Sequence, residues 1–157
     1  MRASLLALAF LALTAMTPDP LWQDAERVLV RCHVDRGGAP ADPAGLEGRL
    51  CGGLAGAVAS RLKDRLPVEV ATPADARIVE AGSVLLLLHA RVQPVAEIVP
   101  ETEGSALVLS LQTGRGDPAA QPAPSWFKVA PKALPFPLAD APLRQAMDAL
   151  AADLLGR

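Results

Sequence analysis

Aromatic residues are scarce in this chain of 157 residues: tyrosine is absent, and there are two tryptophans and three phenylalanines. Planar side chains are the usual stacking surfaces for bases, sugars and flat cofactors, so their scarcity argues against sites of that kind. An excess of basic residues is also lacking, because 15 lysines and arginines face 17 aspartates and glutamates. Without a basic footprint we expect no nucleic-acid partner.

The usual sequence signatures of catalysis are missing as well. The chain has no phosphate-binding Gly-x-x-x-x-Gly-Lys loop, no Gly-x-Gly-x-x-Gly turn and no Gly-x-Ser-x-Gly nucleophile motif. It has only two histidines, which without a patterned carboxylate do not predict a zinc site. We therefore predict no catalytic residues, no metal and no cofactor.

One hydrophobic run stands at the start of the chain. Met1-Arg2 is followed by apolar residues from Ala3 to Leu13 and then by small residues. This pattern is typical of a secretory signal peptide, predicted here as residues 1–15 with cleavage near Ala15. An uncleaved anchor is the alternative, although a bilayer span needs about 20 apolar residues. Residues 16–157 are then expected to form one globular α/β domain in the periplasm or outside the cell, with no membrane span after signal removal.

The two cysteines are expected to pair if the chain is exported, because small domains in oxidising compartments use disulfides. Cys32 shares an alternating apolar face with Val28, Val30 and Val34, and Cys51 lies on the apolar side of a predicted helix. A helix laid on that strand would bring the two sulfurs together. Two buried free thiols, or a redox-active pair, are the alternatives.

Hydrophobic periodicity predicts an α+β fold: a small sheet with an antiparallel meander, one long helix after strand 1 and a C-terminal helix packed on the sheet. The predicted strands are residues 27–34, 67–71, 77–80, 84–92, 95–99, 105–113 and 126–129. The long helix is expected from Asp42 or Pro43 to about Leu66, where Pro67 ends it, and the last helix from about Asp140. Residues 95–99 and 105–113 are expected to pair as a hairpin.

Small residues recur along the long predicted helix at Gly48, Gly52, Gly56 and Ser60. Each interior glycine costs about 1 kcal/mol relative to alanine, so a close contact should compensate. The favoured interpretation is a tight fit of this stripe on the sheet, or simply a compositional bias towards alanine and glycine, and a helix–helix contact is the alternative.

The segment 114–137 is dense in proline and is predicted to be a loop that covers the sheet. Trp126 and Phe127 stand in its middle and are candidate binding residues. A proline-rich ligand segment for a partner is the alternative interpretation.

A second candidate site depends on which strands are neighbours. Arg31 and His33 lie on the face of the first strand opposite Cys32, and His89 and Arg91 alternate in the same way on the strand 84–92. If these strands are adjacent, the four residues form a cationic cluster suited to an anion or an acidic partner. Four solvated residues on an outer face are the plainer interpretation.

The stretch from Ala74 to Gly82 looks like the acidic turn and apolar strand of the amino-terminal domain of TolB and of FlgO-like envelope domains. The strand pair Val84–Val99 and Ser105–Thr113 and the later Trp126 are similar too, so the resemblance covers about Arg27 to Leu155. It implies a binding or assembly module without catalytic residues. The chain departs from TolB in lacking a propeller after this domain and a lipoprotein cysteine after the apolar run.

Taken together, the sequence favours an exported, non-enzymatic envelope domain that binds a protein or cell-envelope partner. A small periplasmic hydrolase or redox enzyme, or a carrier of a small apolar ligand, is the alternative.

Overall fold

A computed structural model describes residues 21–35, 45–63, 65–97, 101, 103–116, 125–126 and 129–156, with the backbone alone described at 125–126. The predicted signal peptide at 1–15 and the predicted helix start at Asp42 lie outside these residues. The strands are β1 (Arg27–Asp35), β2 (Val68–Val70), β3 (Ser83–Pro94), β4 (Ser105–Arg115), β5 (Ser125–Trp126) and β6 (Lys132–Phe136). The helices are α1 (Leu46–Leu62) and α2 (Asp140–Leu155), with short 3₁₀ helices at Ala76–Val79 and Val95–Glu97.

The six strands form one mixed sheet in the order β2-β1-β3-β4-β5, with β6 also paired to β4. Strands β2, β1 and β3 are parallel, whereas β4 is antiparallel to β3, β5 and β6. One long helix follows β1 and a second closes the chain, which confirms the predicted α+β fold.

Both helices lie on the same side of the sheet. Helix α1 packs on β1 and β2, and α2 packs on α1 and β6. Alternate residues of β1, β3 and β4 point to the helices and are buried with the apolar stripes of α1 and α2 in one core. The largest fully buried side chains of this core are leucines and one methionine, Leu50, Leu54, Leu86, Leu88, Leu107, Leu109, Leu111, Leu150 and Met147.

Helix α1 is shorter than predicted at both ends. It begins at Leu46, after Gly45 in a left-handed conformation with φ of 61°, rather than at Pro43. Lys63 adopts a left-handed conformation with φ of 49°, and its backbone N–H donates to the carbonyl of Ala59. This hydrogen bond closes the last turn, so the helix ends at Leu62 rather than at Leu66.

The glycine stripe of α1 does not lie against the sheet, so that prediction is wrong. A methyl group built on Gly48, Gly52 or Gly56 would have no atom within 4 Å. The close approach is made instead by Gly53, where the same methyl group would lie 3.2 Å from Cγ of Met147 on α2. The tight contact is therefore between the two helices and uses the one glycine outside the stripe.

The predicted strand at 77–80 is a 3₁₀ helix. The carboxylate of Asp75 accepts hydrogen bonds from the backbone N–H and the guanidinium of Arg77, which turns the chain before it can extend. The next prediction, a strand at 95–99 paired with β4, is also wrong. Strand β3 itself pairs with β4 as far as Pro94 opposite Ser105, so the chain has to reverse at 95–97.

Part of the proline-rich segment predicted as a loop is strand. Residues 132–136 form β6, in which Pro135 lies opposite Ala106 of β4. Proline is compatible with this strand because β6 is paired on one side only among the described strands, and prolines in sheets occur on such edge strands.

Candidate functional site

The two faces of the sheet differ because successive side chains of a strand alternate between them. On β1, Val28, Val30 and Cys32 face the helices and are buried, while Arg31 and His33 face the other way. We call the side opposite the helices the outer face. Its exposed part is the candidate site, because the four cationic residues predicted from the sequence lie there.

The parallel pairing of β1 and β3 sets these residues side by side. His33 is the direct partner of His89, and Asp35 is the partner of Arg91. The two strands are therefore adjacent, which confirms the condition for the predicted cluster. We call Arg31, His33, Asp35, His89 and Arg91 the basic cluster.

The two histidine rings are in edge-to-face contact. Their centroids are 6.1 Å apart and their planes are inclined by 74°. His33 is exposed and His89 is half-buried. Within the described part of the chain, the contact with His89 is the one side-chain interaction of His33, and no described residue forms a hydrogen bond with its ring nitrogens.

His89 is oriented by strand β4. Its Nε2 lies 3.3 Å from Oε1 of Gln112, two residues beyond its direct partner Ser110. A hydrogen bond between these atoms holds the ring in place, and the tautomer of the imidazole decides which ring nitrogen carries the hydrogen.

Only one of the two arginines in the basic cluster forms an ion pair with a described residue. Arg91 lies 3.8 Å from Asp35, a long ion pair in which both side chains are more than half exposed. Arg31 makes no ion pair with any residue that the structure describes. The cluster thus keeps one uncompensated guanidinium beside two titratable imidazoles.

A shallow concavity of about 420 Å³ opens above the basic cluster, and Arg31 lies outside its lining. It is lined by both histidines, Asp35, Arg91 and Gln93, and by Val108 and Ser110 of β4. Its lining combines polar side chains with the apolar Val108, and protein interfaces likewise combine polar and apolar groups.

The other end of the outer face is covered. The connection from β2 to β3 has to pass β1, and its 3₁₀ helix Ala76–Val79 packs against β3 there. At Gly116 a methyl group would meet the carbonyl oxygen of Glu80 at 2.1 Å, so only glycine fits beneath this crossing. Leu29 is fully buried although it points away from the helices. The exposed part of the outer face is therefore the end that carries the basic cluster.

Ion pairs fasten that crossing to the sheet. Arg77 binds Asp75 and also Glu69 of β2, and Arg27 of β1 binds Glu80. Hydrogen bonds from the Arg77 side chain and backbone lower the pKa of Asp75, and Asp75 and Glu69 raise the pKa of Arg77. These charges are engaged with one another, so their arrangement supports the fold and offers no open site.

Behind the basic cluster, the predicted disulfide is formed. Cys32 of β1 and Cys51 of α1 are bonded, with their Cα atoms 5.7 Å apart. Both residues are less than 10% exposed. The bond ties the long helix to the strand that carries Arg31 and His33.

The two remaining predicted binding residues are not placed by the structure. The backbone of Trp126 pairs with Thr113 of β4, but its side chain lies outside the described residues, as does Phe127. Asp35 and Gln112 also belong to the site, although neither was predicted from the sequence as a site residue. Simple alternation from His33 would have found Asp35, whereas Gln112 requires the β3–β4 register.

In the described part of the chain, no three His, Cys, Asp or Glu side chains converge as they would around a metal ion. The helices of this part are too short or too polar to cross a bilayer.

No protein-family model matches the chain, and no curated protein matches it either. Its function is therefore argued from its own geometry.

Proposed function

We propose that this chain is an exported, non-enzymatic domain that binds an acidic segment of a protein partner in the cell envelope, through the basic cluster on its outer face. The observation that carries the proposal is the guanidinium of Arg31, which forms no ion pair with any described residue, on the same exposed end of the sheet as the His33–His89 pair. Carboxylates are the groups that arginine and histidine side chains bind best.

The construction of the site supports a binding role. Its residues stand on paired strands, and β1 is further anchored to α1 by the disulfide. A surface held in this way loses little conformational entropy when a partner binds.

Export is the second part of the proposal. The signal-like pattern at residues 1–15 supports it, and so does the disulfide between Cys32 and Cys51, because such bonds persist in oxidising compartments. The full-length chain, expressed in a Gram-negative host, should appear in the periplasmic fraction without its first residues. Full-length protein retained in the cytoplasm with free thiols would contradict export.

The binding proposal is tested with an acetylated and amidated glutamate-rich peptide, labelled for fluorescence anisotropy at low salt. Arg31→Glu should weaken peptide binding by about tenfold, because it turns an attraction into a repulsion on the strand that also carries His33. Arg31→Gln should lie between this variant and the wild type.

The matched control is Arg65→Glu, an identical charge change in the turn between α1 and β2, where Arg65 is exposed. It should leave the affinity near that of the wild type, and a glutamine-rich peptide should not bind. Equal losses in Arg31→Glu and Arg65→Glu would show that only net charge matters and would refute a site on the outer face. Absence of binding by the wild-type protein would refute the proposed function.

A further inference from the structure

We infer that binding of the acidic segment is coupled to proton uptake by the His33–His89 pair, so that affinity rises as the pH falls through the range in which histidine titrates. This inference rests on the proposed function and concerns the regulation of the same site. Histidine is the side chain whose ordinary pKa allows a change of charge between about pH 5 and 8.

The register of β1 and β3 makes the two histidines interact. Their ring centroids are 6.1 Å apart, so a proton on one ring raises the electrostatic cost of a proton on the other. A carboxylate bound above both rings offsets that repulsion, and this is the physical link between partner binding and protonation.

The neighbouring charges reinforce the link. On β1 the pair is flanked by Arg31 and Asp35, and on β3 by Arg91. Strand β4 contributes the uncharged Ser110 and Gln112 beside His89. Two arginines against one aspartate give these surroundings a net positive charge. An acidic segment that binds Arg31 reverses this field.

Protonation does not disturb the hydrogen bond that orients His89. In the imidazolium both ring nitrogens carry a hydrogen, so Nε2 donates to Oε1 of Gln112 whichever tautomer the neutral ring adopts. The ring therefore keeps its position, and Nδ1 is a second donor for the partner's carboxylate. The change is therefore one of charge alone, without rearrangement of the sheet.

The coupling is measured by titration calorimetry of the wild-type protein with the same glutamate-rich peptide. In buffers of different ionisation enthalpy near neutral pH, binding should take up protons. The dissociation constant should fall by about fivefold between about pH 7.5 and 5.5, because two cations are added to the site. The glutamates of the peptide and the blocked termini contribute little in that window.

The variant His33→Gln/His89→Gln should bind the peptide with the same affinity at both pH values and without proton uptake, while Arg31→Gln should keep the proton uptake at lower affinity. Circular dichroism confirms that each variant is folded. If the wild-type protein binds equally well at both pH values, or if the double variant retains the pH dependence, the coupling is refuted and the proposed function stands. If no peptide binds at either pH, both are refuted.

Discussion

Cys32 and His33 are consecutive residues of β1 whose side chains leave the sheet on opposite faces. Cys32 is bonded to Cys51 and so holds α1 against one face, while His33 contacts His89 on the other. One short strand thus carries the covalent anchor of the fold and the centre of the candidate site. We therefore expect the disulfide to help to hold the His33–His89 pair in position.

Removal of the disulfide should destabilise the domain substantially. The bond closes a loop with a sequence separation of 19, for which chain entropy gives a loss of about 3 kcal/mol. The variant Cys32→Ala/Cys51→Ala should therefore unfold at a lower urea concentration than the wild type in non-reducing buffer. In reducing buffer the two proteins should unfold at similar concentrations. Equal unfolding midpoints in both buffers would contradict a stabilising bond.

Two adjacent glycines of α1 provide a matched pair for the helix–helix contact. Gly52→Ala should stabilise the protein by about 1 kcal/mol, because alanine is the better helix former and nothing lies within 4 Å of its methyl group. Gly53→Ala should stabilise the protein by less than this or destabilise it, because the added methyl group would lie 3.2 Å from Cγ of the buried Met147. Thermal unfolding of both variants measures the difference. An equal gain at the two positions would mean that the helices are not in contact there.

The ion pairs that fasten the β2–β3 crossing should make stability depend on acid pH. Hydrogen bonds from Arg77 lower the pKa of Asp75 in the folded state. A carboxyl with a lowered pKa stabilises the fold fully above its ordinary range of about 4, and this contribution is lost as the pH falls through the folded value.

Asp75→Asn should therefore reduce the urea midpoint at neutral pH, and the gap from the wild type should narrow as the pH falls below about 4. The control is Asp24→Asn, since Asp24 is exposed and has no hydrogen bond or ion pair within the described ranges. It should match the wild type throughout. A gap for Asp75→Asn that is constant with pH would contradict the role assigned to its charge.

The parts of the fold that depend on local pattern were predictable. The alternation around Cys32 gave the two faces of β1, and the apolar stripe that includes Leu50 and Leu54 gave the helix that carries Cys51. The disulfide followed because it needs only one strand, one helix and their apolar faces.

The parts of the fold that depend on pairing between segments far apart in the sequence were not predictable. The chain reverses after Pro94 because β3 and β4 pair along their whole length, which the apolar residues at 95–99 do not reveal. In the sequence Pro135 indicates a loop. Its place in a strand is understood only from the pairing of β6 with β4, which leaves the other side of β6 unpaired among the described strands. Gln112 joins the site for the same reason, since its place beside His89 is set by the register of two strands.

The most direct test of the central claim, that the outer face is the binding surface, uses nuclear magnetic resonance with a glutamate-rich peptide that carries a nitroxide label. The chain has only two histidines, so their ring signals are readily resolved and assigned. Peptide binding should broaden the ring signals of His33 and His89 strongly and leave the amides of Gly52 and Gly56 on α1 sharp. Broadening at Gly52 and Gly56 with both histidine signals unchanged would contradict the account.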